Sequence, residues 1–136
     1  MGAIHRLVQA NGVRHHVVIE GEGPLVILVH GFPESWYSWR YQLSALAEAG
    51  YQAAAIDVRG YGRSYKPRDV SGYRMVKHVG DVVDLVGPLG AHSAVLVGHD
   101  WGAMELGAAA AGPVRRCGRA VGAVLRAAYA CRPQSR

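Results

Sequence analysis

No stretch of this chain reaches the roughly 18 consecutive apolar residues that a membrane span needs. Met1 to Val8 hold no apolar run of the kind that forms a secretory leader. Arg6 stands where a myristoylation pattern following Gly2 calls for Ser or Thr. A cytoplasmic location is therefore the expectation. Cysteine is scarce, with Cys117 and Cys131 both late in the chain. No third ligand is spaced to join the His15-His16 pair, which argues against a metal centre and leaves the pair as a solvated strand face. The glycine-rich turn Arg59-Gly60-Tyr61-Gly62-Arg63-Ser64 lacks the lysine and spacing of a phosphate loop, so nucleotide binding is not expected there. Nothing after Asp100 is a His or an Asp.

What is present suits one globular domain. Half of the 136 residues are hydrophobic and 18% are charged. A chain of this length buries roughly two-thirds of its unfolded surface. The net charge of +5 is unevenly placed. Residues 1–103 hold nine Lys/Arg and nine Asp/Glu, whereas residues 104–136 hold six Arg and the single acid Glu105. Ala, Arg, Gly and Pro make up 21 of those last 33 residues. The change in composition places a boundary near Ala103. It predicts that 104–136 is an aberrant tail, frameshifted or disordered, because those four amino acids have codons beginning with two G or C bases. An Arg-rich tail also raises the reading of a non-enzymatic arm for nucleic acid or another acidic partner. The tail lacks interleaved aromatics, so no nucleic-acid partner is expected.

Along the chain, Ile4 to Val8 and Val13 to Ile19 read as strands joined at Asn11-Gly12, a tight hairpin signal. A turn follows at Gly21 to Pro24. Leu25 to Val29 is apolar without alternation, as in a central parallel strand covered on both faces. Ser35 is placed to cap a helix reaching Glu48, with Trp39, Leu43, Leu46 and Ala47 on one face and Gly50 as its stop. Tyr51 to Ile56 is a strand ending at Asp57. Val76, Val79, Val82, Val83 and Val86 recur at helical spacing within Tyr73 to Leu89, closed by Gly90. Ala94 to Val97 is the last strand of this series. The order is a β-hairpin followed by strand, helix, strand, helix, strand, an α/β layout with a parallel sheet. Val121 to Ala130 reads as a weak strand or helix. A sheet stopping at the last parallel strand leaves an open apolar edge, a template for aggregation.

The strand from Ala94 runs into Gly98-His99-Asp100-Trp101-Gly102-Ala103. This is the Gly-x-nucleophile-x-Gly pattern of a nucleophile elbow, with Asp100 at its centre. A tight strand-to-helix turn needs small flanking residues, and the following helix aims free N–H groups at the same spot. An Asp capping a helix after a strand gives the same local pattern. Functional groups in parallel sheets collect at the carboxyl ends of strands. The motifs at His30, Asp57 and Asp100 all follow strand ends.

Together, His30-Gly31-Phe32-Pro33-Glu34-Ser35-Trp36, Asp57-Val58-Arg59-Gly60-Tyr61-Gly62-Arg63-Ser64 and the Asp100 elbow resemble the epoxide hydrolases of the α/β-hydrolase superfamily. The resemblance reaches Ala103, about three-quarters of the chain, and covers the N-terminal portion of the fold. The lid, with its ring-activating tyrosines, and the last sheet strands have no counterpart. The resemblance implies that Asp100 is a nucleophile forming an ester with an epoxide carbon. It implies that the backbone N–H groups of Phe32 and Trp101 form the oxyanion hole, and that Pro33 follows a cis peptide. Phe32, Trp36 and Trp101 are implied as substrate-pocket walls, with core packing the alternative for the tryptophans. His30, Gly31, Pro33, Gly98 and Gly102 belong to the structural motifs. His30 braces its loop, and Asp57 and Arg59 hold their turn through a mutual salt bridge. No cofactor and no metal is implied.

A carboxylate attacks a strained or halogenated carbon without a base to activate it. A dehalogenase using the same aspartate is thus the second reading, and a non-catalytic fragment the third. Hydrolysis of the ester needs a general base, normally a His held by an acid that follows the nucleophile in chain order.

Overall fold

The computed structural model describes residues 2–111, 117–123 and 126–131. Strands β1 (Ile4–Ala10) and β2 (Val13–Glu20) form the hairpin. At its tip Asn11 and Gly12 take φ values of 51° and 76°, as a two-residue turn with a primed geometry requires. Strands β3 (Leu25–Val29), β4 (Gln52–Ile56) and β5 (Ala94–His99) form the parallel centre. Helix α1 spans Arg40–Glu48, α2 Met75–Leu85 and α3 Trp101–Ala111. Two further strands, β6 (Cys117–Ala123) and β7 (Arg126–Cys131), complete a mixed sheet in the order β1-β2-β4-β3-β5-β7-β6.

The continuous apolar run of β3 has a direct packing cause. Leu25, Ile27 and Val29 enter one core with Val82, Leu85, Val86 and Leu106 from α2 and α3. Val26 and Leu28 enter a second core with Trp39 and Leu43 beside α1. Full burial of a side chain such as Ile27 contributes about 1.5–3 kcal/mol, so both layers are anchored on this strand.

Several expectations are corrected. His15 and His16 are not on a solvated face: each is 1% exposed. The two rings leave opposite faces of β2 and both faces are covered: His15 lies 3.5 Å from Asp81 of α2, and His16 packs on Asp57 and Trp36. Helix α2 stops at Leu85, not near Gly90, because Pro88 disfavours helical backbone just before it. Val76 is 70% exposed and lies outside the core its spacing assigned to it. The Ser35 cap is real, its Oγ accepting from the Tyr37 N–H at 3.3 Å, but it opens a short 3-10 helix (Trp36–Trp39) that leads into α1. The edge of β5 is not open: it pairs antiparallel with β7 from Ala94↔Cys131 to His99↔Arg126. The remaining expectations for 112–116, 124–125 and 132–136 lie outside the described residues.

Candidate active site

Asp100 sits between β5 and α3 with φ of 56°, left-handed backbone that a non-glycine residue adopts at a cost. The turn tightens around it. A Cβ on Gly98 would stand 2.6 Å from the Gly102 carbonyl carbon, and one on Gly102 would collide with the Val29 carbonyl oxygen. A Cβ on Gly31 would lie 2.5 Å from Asp100 Cβ. These three glycines let the β3 and β5 ends approach closely enough for the His30–Glu34 loop to reach the carboxylate.

The Phe32 backbone N–H donates to Asp100 Oδ2 at 3.0 Å. The Phe32-Pro33 bond is cis. The N–H groups of Phe32 and then Trp101 hold the Asp100 carboxyl below the ordinary carboxylate range, since both bind the charged form. The carboxylate is therefore ionised, aimed and solvent-accessible.

Beside it opens a cavity of about 390 Å³ whose walls include Gly31, Phe32 and Trp101. Phe32 is 61% and Trp101 49% exposed, so both rings stand at its mouth. His30, Val58, Tyr61, Tyr73, Met75 and His78 complete the lining, and no motif marks the last five as a wall. Val58 and Tyr61 follow the end of β4, where the strand-end rule points. Tyr73 arrives from the 3-10 turn Val70–Tyr73 that precedes α2, and Met75 and His78 from the start of α2, a placement that no local pattern encodes. Trp36 is not in this wall. It packs edge-on against His5 and His16, at centroid distances of 5.1 and 6.5 Å, which is the packing alternative.

His30 braces its loop through both ring nitrogens. Val58 N–H donates to Nε2 at 2.9 Å and Nδ1 lies 2.8 Å from the Gly31 carbonyl, which defines a neutral ring protonated at Nδ1. His99 turns away toward Glu34, its Nδ1 3.4 Å from Glu34 Oε2.

Asp57 and Arg59 do not pair with each other. Asp57 is 1% exposed and its oxygens are taken by His16 Nδ1 at 2.7 Å, the Trp36 N–H at 2.9 Å and the Arg63 N–H at 3.0 Å. Arg59 instead grips Asp81 of α2 with Nε at 2.8 Å and Nη2 at 2.6 Å. Burial pushes the Asp81 carboxyl up, and the facing His15 ring at 3.5 Å with the hydrogen bonds from Arg59 and Asn11 outweighs it, leaving a net lowering. Among the described residues no group of three or more His, Cys, Asp or Glu is placed to hold a metal ion, and no helix is long and apolar enough to cross a membrane.

The geometry agrees with the comparisons to known proteins. Epoxide hydrolase B of Mycobacterium tuberculosis is 54% identical over 107 residues, 76% of this chain and 30% of that protein. Epoxide hydrolase A of the same organism is 53% identical over 107 residues, 76% of this chain and 33% of that protein. A solved epoxide hydrolase from an endophytic Streptomyces superposes with a TM-score of 0.78 at 61% identity, covering 81% of this chain and 33% of that one. The chain thus spans about a third of the length of these relatives. The family model described as the alpha/beta hydrolase fold matches residues 24–125, and with the strained elbow, the parallel strands and the opposed loop in place, the chain belongs to the α/β-hydrolase fold family.

Proposed function

We propose that this chain carries the nucleophile and oxyanion half of an epoxide-opening site. One Asp100 oxygen attacks an epoxide carbon, the ring C–O bond breaks, and its electron pair stays on the former ring oxygen, which takes a proton from solvent. An ester joins Asp100 to the substrate. The Phe32 and Trp101 N–H groups, which bind the carboxylate in the resting site, then face the ester carbonyl. They stabilise the oxyanion formed when water adds, each donor worth about 3 kcal/mol. Water addition and collapse release a vicinal diol and regenerate the carboxylate. Phe32 and Trp101 wall the substrate cavity. His30, Gly31, Pro33, Gly98 and Gly102 shape the loop and elbow, and Asp57 and Arg59 hold the adjoining turn through separate partners. The observation that carries this reading is the ionised Asp100, held at φ 56° with the Phe32 N–H on Oδ2 at 3.0 Å, beside the cavity at Phe32 and Trp101.

Residues 101–136 contain no His or Asp to activate the water. His30 has both nitrogens committed and His99 is turned to Glu34. With no His or Asp after the elbow the 136-residue chain is expected to stop at the ester, and His78, which lines the same cavity, is the histidine that turnover would implicate. Mass spectrometry after incubation with a reactive epoxide tests this: one adduct per chain, on Asp100, absent in Asp100→Ala. No adduct on folded protein sinks the reading. Steady turnover abolished by Asp100→Ala would place a base upstream of the elbow. A haloalkane that labels Asp100 with halide release, where the epoxide does not, would favour dehalogenase chemistry.

For residues 104–136 we propose a shifted reading frame. The nucleotides beyond the Ala103 codon test it, since early stops in the other frames would overturn it.

A further inference from the structure

Helix α2 is fastened at its two ends by different means. Toward its C-terminus Val82 and Leu85 enter the core. Its first turn holds no buried apolar residue: Val76 and Lys77 are exposed, and Met75 and His78 are half-buried. Arg74, just before the helix, makes no side-chain cap. Yet this turn, together with Tyr73, supplies part of the wall of the cavity beside Asp100. A turn with so little buried contact opens readily unless something else holds it.

Arg59, which follows the end of β4 and is 5% exposed, supplies such a hold. Its Nε and Nη2 form a fork on the Asp81 carboxylate at 2.8 and 2.6 Å, one turn beyond His78. Its Nη1 donates to the Gly72 carbonyl at 3.1 Å, next to Tyr73. One side chain thus pins both wall segments to the loop that carries Val58 and Tyr61, which line the same cavity. The neighbouring Gly60, with φ of 89°, leaves the Tyr73 ring a place that a Cβ would fill. Tyr73 Oη donates to the Pro67 carbonyl at 2.9 Å. From the hairpin tip, Asn11 Nδ2 donates to Asp81 Oδ1 at 3.0 Å and to the Lys77 carbonyl at 3.1 Å. A buried ion pair is weak ground for stability, since apolar residues of like volume often match it. What the planar fork adds is direction. We propose that Arg59 is a positioning residue that sets the width of the cavity beside Asp100, and so the size of the epoxide substituent the site accepts. The part about epoxides rests on the reaction proposed above, whereas the hold on the wall does not.

The test uses the 136-residue chain and separates binding from chemistry. The methyl resonance of Met75, assigned through Met75→Leu, is followed by carbon-13 NMR during titration with 2-phenoxyethanol, an unreactive ligand. Mass spectrometry follows labelling of Asp100 by phenyl glycidyl ether and by the much smaller propylene oxide. Arg59→Lys keeps the charge and loses the fork. Arg59→Met paired with Asp81→Leu removes the ion pair without leaving a charge buried. Urea unfolding confirms that each variant is folded. Expected is binding of 2-phenoxyethanol about tenfold weaker in the paired variant, with Arg59→Lys in between, as for a wall no longer held in place. The half-saturating concentration of phenyl glycidyl ether rises alike, while its limiting labelling rate and the rate with propylene oxide stay within about twofold. Unchanged 2-phenoxyethanol binding in a folded variant, or no Met75 response in the parent chain, overturns the proposal. So does an equal loss of labelling with both epoxides, or the unfolding of both variants, since either makes Arg59 a purely structural residue. No adduct on the parent chain, with the difference in 2-phenoxyethanol binding intact, counts against the proposed reaction and not against the role of Arg59.

Discussion

Asp57 and Asp100 occupy matching places, each just beyond the carboxyl end of a parallel strand, and their surroundings are opposite. Asp57 is buried and receives three donors, two backbone N–H groups and the His16 ring. Asp100 is exposed, receives two backbone N–H groups and faces solvent beside an apolar cavity. The first carboxylate has its bonding capacity spent on holding β2, β4 and the start of the 3-10 helix together. The second is aimed and left with capacity to react. A strand-end position thus nominates an aspartate, and the saturation of its oxygens decides between structure and chemistry.

The sharpest break in this comparison is expected at Asp100 itself. Asp100→Asn keeps a side chain that tolerates left-handed backbone, so adduct formation should vanish while the urea unfolding midpoint stays close to that of the parent chain. Labelling of Asp57 by the same epoxide would erase the distinction.

Asp57→Ala should do the reverse. It leaves the buried His16 ring and the part-buried N–H groups of Trp36 and Arg63 without their acceptor, and an unmet buried donor costs about 1–3 kcal/mol. Equilibrium urea unfolding measures it, and a loss near zero would show that Asp57 does not hold these elements together.

A smaller effect is expected from Gly102→Ala. The added methyl meets the Val29 carbonyl oxygen, which is backbone and cannot swing aside. Overpacking of this kind costs about 1–3 kcal/mol and should also reduce the alkylation rate by parting the elbow from the loop. The same substitution at exposed Gly87, which has open space around it, should leave the alkylation rate unchanged.

The mildest test is acidity. Asp100 and Asp81 both have carboxyl groups held below their ordinary value. A depressed folded-state value contributes stability above the unfolded value, near pH 3.9, and loses it as pH falls through the folded value. Asp81→Asn should therefore flatten the acid limb of stability below about pH 4. Alkylation at Asp100 should persist below the pH at which a free aspartate protonates, and an apparent value at or above the free one would contradict the two backbone donors.

Much of this was legible in the sequence because it was local. The unbroken run of β3 declared a strand covered on both faces, and Asn11-Gly12 declared the hairpin. Gly98 and Gly102 around Asp100 declared the elbow. What failed was non-local. Spacing within β2 cannot show that Asp81 of α2 covers His15 while Asp57 and Trp36 cover His16. The nearness of Arg59 to Asp57 in the chain hid a partner on α2, 22 residues away. The wall formed by Tyr73, Met75 and His78 depends on where α2 docks, which its own spacing does not encode.

The sequence by itself determined the order of elements, the aspartate at the elbow and the small residues that its turn demands, since strand period, turn chemistry and steric limits act over a few neighbouring residues. Only the tertiary structure decided which carboxylate is saturated, which histidines are buried and which tryptophan walls the cavity. Those outcomes follow from burial and hydrogen-bond geometry between segments far apart in the chain, where desolvation makes each unmet polar group costly and the packing of whole elements chooses its partner.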